Sequence, residues 1–232
     1  IVLGLLLGVV ILCIATWRIR THAHQGGVFA VLGSATIVLT LYAAREAYNM
    51  FTPTTALALM LFSVVFVAFL AVQHNSQNLA LSALVIGALA PQFTAVPAPD
   101  MIMNFSYLAI MVLGTLWVVK LKEWDALTFG ALIIVSLYGA PYLSPWYNPG
   151  ERDVALLFAF FFTAVFFIAN ILGLIRENGA KNHLAHTVTA LGTGLYLITW
   201  IHTVGAPEWQ SMLYIMWMLV FTIGSFLVNR VR

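Results

Sequence analysis

Apolar residues in this chain fall into long runs, and the polar residues between them are confined to short corners. Nine stretches, at roughly 1–17, 27–44, 53–73, 78–96, 101–119, 125–143, 153–175, 184–204 and 209–229, are almost wholly apolar. A helix needs about 20 such residues to cross a bilayer. Lipid offers no partner to a bare amide or carbonyl, so each run is expected to be helical. The pattern predicts an all-α integral membrane protein, a bundle of about nine transmembrane helices, with residues 1–232 as one transmembrane domain. The fourth run is the weakest, with only a dozen residues from Leu79 to Ala90 before Pro91.

The polar corners carry their own punctuation. Gln73 to Gln77 reads QHNSQ and leads into the fourth run, which closes GALAP from Gly87 to Pro91. The sixth run closes GAP at Gly139 to Pro141, and the eighth closes GAP at Gly205 to Pro207. An aromatic residue follows each within two positions: Phe93, Tyr142 and Trp209. Glycine releases a helix, and proline can neither donate the next hydrogen bond nor tolerate helix before it. The three ends therefore suggest tandem helical hairpins in parallel repeat, although the proline spacings of 50 and 66 residues are uneven. Short, Gly/Pro-interrupted spans at corresponding positions are pointers to a membrane binding site. Gly87, Pro91, Gly139, Pro141, Gly205 and Pro207 are accordingly the candidate ligand-binding residues. Small residues spaced by four, Gly4 with Gly8 and Ala83 with Gly87, predict close helix contacts.

Composition agrees with lipid as the solvent. The chain is 62% hydrophobic and 8% charged, against about 25% charged residues in a soluble domain. Mean hydropathy is +0.98. The net charge of +2 and the lack of a basic stripe exclude nucleic acid as an expected partner. Charge also orients the chain. One set of alternate loops holds Arg18, Arg20, Lys120, Lys122, Arg176, Lys181, Arg230 and Arg232, and the other holds only Arg45 and Arg152. The Arg-rich side is cytoplasmic by the positive-inside rule. This places the C-terminus in the cytoplasm and the first residue outside. The chain begins IVLGLLLG with no basic leader, which reads as the cut edge of a longer protein of which this is a fragment or module.

Candidate chemistry is sparse. The interiors of the runs contain no Asp, Glu, Lys or Arg, and charged residues sit at or beyond their ends, which argues against an ion-driven carrier with its relay at membrane depth. Arg45 and Glu46 close the second run and are expected to be a solvated helix end, or, on a functional reading, a contact for an anionic headgroup or substrate. Asn104, Ser106, Tyr107 and Asn170 are expected to form interhelical hydrogen bonds. His22, His24, His74, His183 and His186 all lie on the inferred cytoplasmic side. They lack the converging ligands and carboxylate support of a metal site, so no metal and no cofactor are expected. Cys13 is alone, so no disulfide exists within the chain. An enzyme acting on lipid-linked substrate at the outer face would draw on Asp100, Glu151 and Asp153, the only catalytic candidates. Nothing in their spacing forces them together, and the enzymatic reading is disfavoured.

The segments LYAAREAYNMFTPTTALALML, AVQHNSQNLALSALVIGALAPQF and NFSYLAIMVLGTLWVVKLKEWDAL carry a family resemblance. The polar corner at His74 to Gln77, the Leu/Ala-rich span from Leu79 to Pro91, Phe105 with Tyr107–Leu108, and the corner from Lys122 to Trp124 are its motifs. Across residues 40 to 140 the chain resembles the polytopic bacterial membrane proteins called domain of unknown function 2339. The resemblance implies a bacterial inner membrane and a longer parent protein, and it carries over no catalytic residue. The expected role is transport or binding of a lipid-like molecule, or scaffolding, in the cell envelope. Membrane lipid, other membrane subunits and missing parts of the same chain are the expected partners. The alternatives are the outer-face transferase and a structural subunit of a membrane complex.

Overall fold

The computed structural model describes residues 1–94, 101–143, 152–176 and 183–231. Among these residues there are nine α-helices and no strand. They are α1 (Val2–Arg18), α2 (Ala23–Glu46), α3 (Pro53–Gln73), α4 (Gln77–Thr94), α5 (Met101–Lys122), α6 (Asp125–Gly139), α7 (Arg152–Arg176), α8 (His183–Val204) and α9 (Pro207–Val231). A short 3-10 turn, Ala140–Leu143, follows α6. By length and composition α2, α3, α5, α7, α9 and α6 together with its 3-10 turn (Asp125–Leu143) can cross a membrane, and α1 and α4 are shorter apolar helices. The helices are apolar on both faces. On α3, Met60 and Val67 are buried while Phe62 is 75% exposed and Phe69 61% exposed. A helix apolar all round with half its surface outward has lipid as its natural surroundings.

The described chain divides into two compact units, Ile1–Leu127 and Thr128–Arg232. In the first, α1 lies antiparallel on α2 through glycine. A Cβ on Gly8 would come within 3.2 Å of the Gly33 carbonyl oxygen, and one on Gly33 within 3.1 Å of the Gly8 carbonyl. Gly4 faces Thr40 in the same seam. The GLLLG spacing thus serves as a packing face, as expected. Ser34 and Ser63 join α2 to α3 by a buried hydroxyl–hydroxyl hydrogen bond of 3.0 Å. Thr52 caps α3, accepting the Thr55 amide at 3.3 Å, with Pro53 in the first helical position.

The QHNSQ corner is a helix cap. Asn75 adopts a left-handed φ of 52°, which asparagine tolerates better than most residues. The Ser76 amide returns to the Ala71 carbonyl at 2.9 Å and the Asn75 amide to Val72 at 3.4 Å. This is the double closure of a Schellman motif, and it reverses α3 into α4. His74 contributes the C-cap position. Glu123 (φ 58°) plays the corresponding left-handed role after α5, in the corner from Lys122 to Trp124.

In the second unit α7 and α8 run antiparallel. Asn170 Oδ1 lies 2.8 Å from His186 Nδ1, and a Cβ on Gly173 would sit 2.6 Å from the same imidazole. Gly173 leaves the notch that lets His186 reach α7. Helix α9 is held by aromatic packing, with Phe167 5.6 Å from Trp217 and 5.1 Å from Phe221 between ring centroids. Gly224 admits the Phe167 ring, which a Cβ there would meet at 2.5 Å.

Candidate functional site

The three Gly/Pro ends, alike in sequence, differ in structure. Pro91 does not end its helix: α4 continues to Thr94 with the proline inside it. The expectation that GALAP stops the span is corrected here, and the reason is a distant side chain. Pro91 has no amide hydrogen, so the carbonyl four residues back, that of Gly87, loses its helical donor. The Tyr107 hydroxyl of α5 donates to that carbonyl at 2.8 Å. Tyr107 is buried. A buried carbonyl without a donor costs roughly 1–3 kcal/mol, and this hydroxyl removes the penalty that would otherwise favour breaking the helix. Gly87 is the residue where three helices meet. A Cβ there would stand 3.0 Å from Met111 of α5 and 3.0 Å from Val64 of α3.

Pro141 behaves as a terminator. Helix α6 ends at Gly139 and Pro141 lies in the 3-10 turn. Gly139 lets the fully buried Trp200 approach, its indole 3.0 Å from where a Cβ would be. Pro207 opens a helix: it is the first residue of α9. Gly205 lies just beyond α8, and its amide bonds to the Ile201 carbonyl at 3.1 Å. Gln210 of α9 reaches back to the carbonyls of His202 at 3.2 Å and Gly205 at 3.0 Å. That corner is closed by its own hydrogen bonds.

The surroundings of Pro91 hold the less common features. Phe93, the penultimate residue of α4, packs on Tyr42 of α2 with ring centroids 5.1 Å apart. Three residues beyond Tyr42, and so on the same side of α2, is Arg45, which is 7% exposed. The expected solvated helix end is therefore wrong for Arg45, although Glu46 beside it is exposed. Burial of Arg45 could not be read from its place in the chain, because helix packing decides it. On α5, Asn104 precedes Tyr107 by three residues and is 6% exposed. Its Oδ1 accepts no hydrogen bond among the described residues. Helices α4 and α5 run antiparallel through the Gly87–Tyr107 contact, which puts Asn104 near the level of Pro91 along the bundle. A guanidinium, an orphan amide oxygen and an aromatic pair thus share one end of the first unit with a proline-containing helix end. Such an end can bind a molecule with a polar head and an apolar body.

Asp153 is exposed in the first turn of α7; Asp100 and Glu151 lie outside the described residues. Among the described residues no three His, Cys, Asp or Glu side chains come together. His186 pairs with Asn170 as above, and the side chain of His183 lies outside the described set.

No curated protein and no solved structure matches the chain. The sequence profile of the family described as Predicted membrane protein (DUF2339) matches residues 1–231, well beyond the stretch from 40 to 140 that carries the motifs. A match over nearly the whole length carries the assignment: this chain belongs to the DUF2339 family of membrane proteins.

Proposed function

We propose that the chain is a lipid-binding or lipid-transporting module of the bacterial inner membrane. In this reading the C-terminus is cytoplasmic and the first residue is on the outer side. The binding site is at the outer end of the first unit, around Pro91, and the ligand has an apolar body and an anionic or polar head. Membrane lipid is its first partner, and other envelope subunits or further parts of the same protein are the others.

One observation carries the reading: buried Arg45 and the orphan Asn104 oxygen occur at the end of the first unit where Pro91 lies inside α4. Buried charge in a membrane protein is costly, and it marks function by default. Gly139/Pro141 and Gly205/Pro207 are retained as candidates of lower rank, since the second of these corners is already satisfied by Gln210. A cryo-electron microscopy map of the chain in lipid nanodiscs tests the proposal. The reading calls for an elongated density beside Pro91 with its polar end toward Arg45. Only annular lipid of the kind seen elsewhere around the bundle would reject it.

A further inference from the structure

The corner between α1 and α2, at the opposite end of the first unit, carries a second feature. An open groove of about 530 Å³ is lined by Ile14, Trp17, Arg18, Gln25, Val28 and Phe29. That volume is in the range of small-molecule sites. Its walls are graded. Ile14 of α1 faces Val28 and Phe29 of α2, while Arg18 and Gln25 lie about one turn nearer the polar corner. Trp17 beside them is 71% exposed, the placement of an aromatic at headgroup level.

The corner is tightly built. A Cβ on Gly26 would collide with the backbone of Ile19, and the His22 amide bonds to the Arg18 carbonyl at 2.8 Å. These contacts hold the Arg18 wall and the Gln25 wall in fixed register. The charge balance is one-sided. Residues 1–45 contain no Asp or Glu, and Arg20 and His22 are exposed on the same corner. Glu46, the one carboxylate on either helix, closes α2 at the end away from Arg18.

We infer that this groove binds one anionic phospholipid. The phosphate is held by Arg18 and Gln25, and an acyl chain lies on Ile14, Val28 and Phe29. Arginine binds phosphate by charge-assisted hydrogen bonds, and its stem packs on apolar surface. A zwitterionic lipid would gain less, because its own cation would face a corner that already carries Arg18 and Arg20. The site is at the other end of α2 from Arg45 and does not depend on the proposal made for Pro91.

The test uses the full chain in phosphatidylcholine vesicles doped with a few per cent of photoactivatable phosphatidylglycerol or, in parallel, photoactivatable phosphatidylcholine. Adducts on the peptide covering residues 14–29 are read by mass spectrometry, which separates this site from any other. The anionic probe is expected to label this peptide several-fold more than the zwitterionic one. Arg18→Gln should lower anionic labelling about fivefold, the factor one interfacial arginine is worth against an anionic lipid surface. Val28→Trp, which fills the groove from an exposed position, should lower it without touching a charge. Arg230→Gln, an exposed arginine at the end of α9, should leave it unchanged. Equal labelling by the two probes, or labelling insensitive to both Arg18→Gln and Val28→Trp, would overturn the inference. So would full competition by free glycerol 3-phosphate, since a site for phosphate alone has no use for the apolar wall.

Discussion

The Tyr107 hydroxyl lies 2.8 Å from the Gly87 carbonyl oxygen, the acceptor that Pro91 leaves without a helical donor. Two residues twenty positions apart thus share a single hydrogen bond across α4 and α5, and the bond exists because of a third residue. The triple makes a sharp prediction. Tyr107→Phe should destabilise the folded chain by about 1 kcal/mol, since it leaves a buried carbonyl empty. In a Pro91→Ala background, alanine supplies the missing amide, and the same Tyr107→Phe change should cost much less. Thermal unfolding of the four proteins in detergent gives the cycle. Equal Tyr107→Phe costs in both backgrounds would mean that the hydroxyl does not serve the proline.

Glycine at the α1–α2 seam should be similarly decisive. A Cβ on Gly8 would stand 2.5 Å from Ile37 Cγ1 and 3.2 Å from the Gly33 carbonyl, whereas Gly27 has nothing within 4 Å. Gly8→Leu is expected to cost roughly 1–3 kcal/mol through forced separation of the helices. Gly27→Ala should be neutral or slightly stabilising, because alanine is the better helix former. The unfolding midpoints of the two variants compare them directly.

In the second unit the Asn170–His186 pair should show pairwise coupling. Asn170→Leu and His186→Leu are each expected to lower the unfolding midpoint. The double variant should fall short of their sum by about 1 kcal/mol, the usual scale of an interhelical hydrogen bond in a membrane protein. Strict additivity would show that the 2.8 Å contact contributes nothing of its own.

Orientation is testable without any ligand. In a Cys13→Ala background, a cysteine at Tyr48, which is 66% exposed, should react in intact cells with a membrane-impermeant maleimide. A cysteine at Ser76, in the α3–α4 corner, should react only after the cells are opened. The reverse pattern would invert the assignment of inside and outside drawn from the Lys and Arg residues.

Much of the fold was legible because it is written locally. Apolar runs marked the helices, and QHNSQ marked a reversal that Asn75 completes with its left-handed φ. GLLLG marked the α1–α2 seam. What the chain text hid was non-local. Pro91 reads as a helix stop until Tyr107 is brought to Gly87, and no window around residue 91 contains that tyrosine. Arg45 reads as a solvated end until its burial is known, because an arginine at the last turn of a span is ordinarily in water. The resemblance did point at Tyr107 through its Phe105–Tyr107–Leu108 motif, but not at the carbonyl it serves. The three Gly/Pro ends looked equivalent because glycine and proline have three different uses at a helix boundary, and neighbouring helices choose among them.

The most direct measurement of the central proposal places a photoreactive phenylalanine analogue at position 93 and, as a reference for ordinary annular lipid, at position 62, where Phe62 is 75% exposed on α3. Lipid adducts formed in native membranes are then compared with and without Arg45→Gln. The account predicts that position 93 captures a distinct lipid at higher yield than position 62, and that Arg45→Gln lowers that yield several-fold while leaving position 62 unchanged. The same adducts at both positions, indifferent to Arg45, would contradict it.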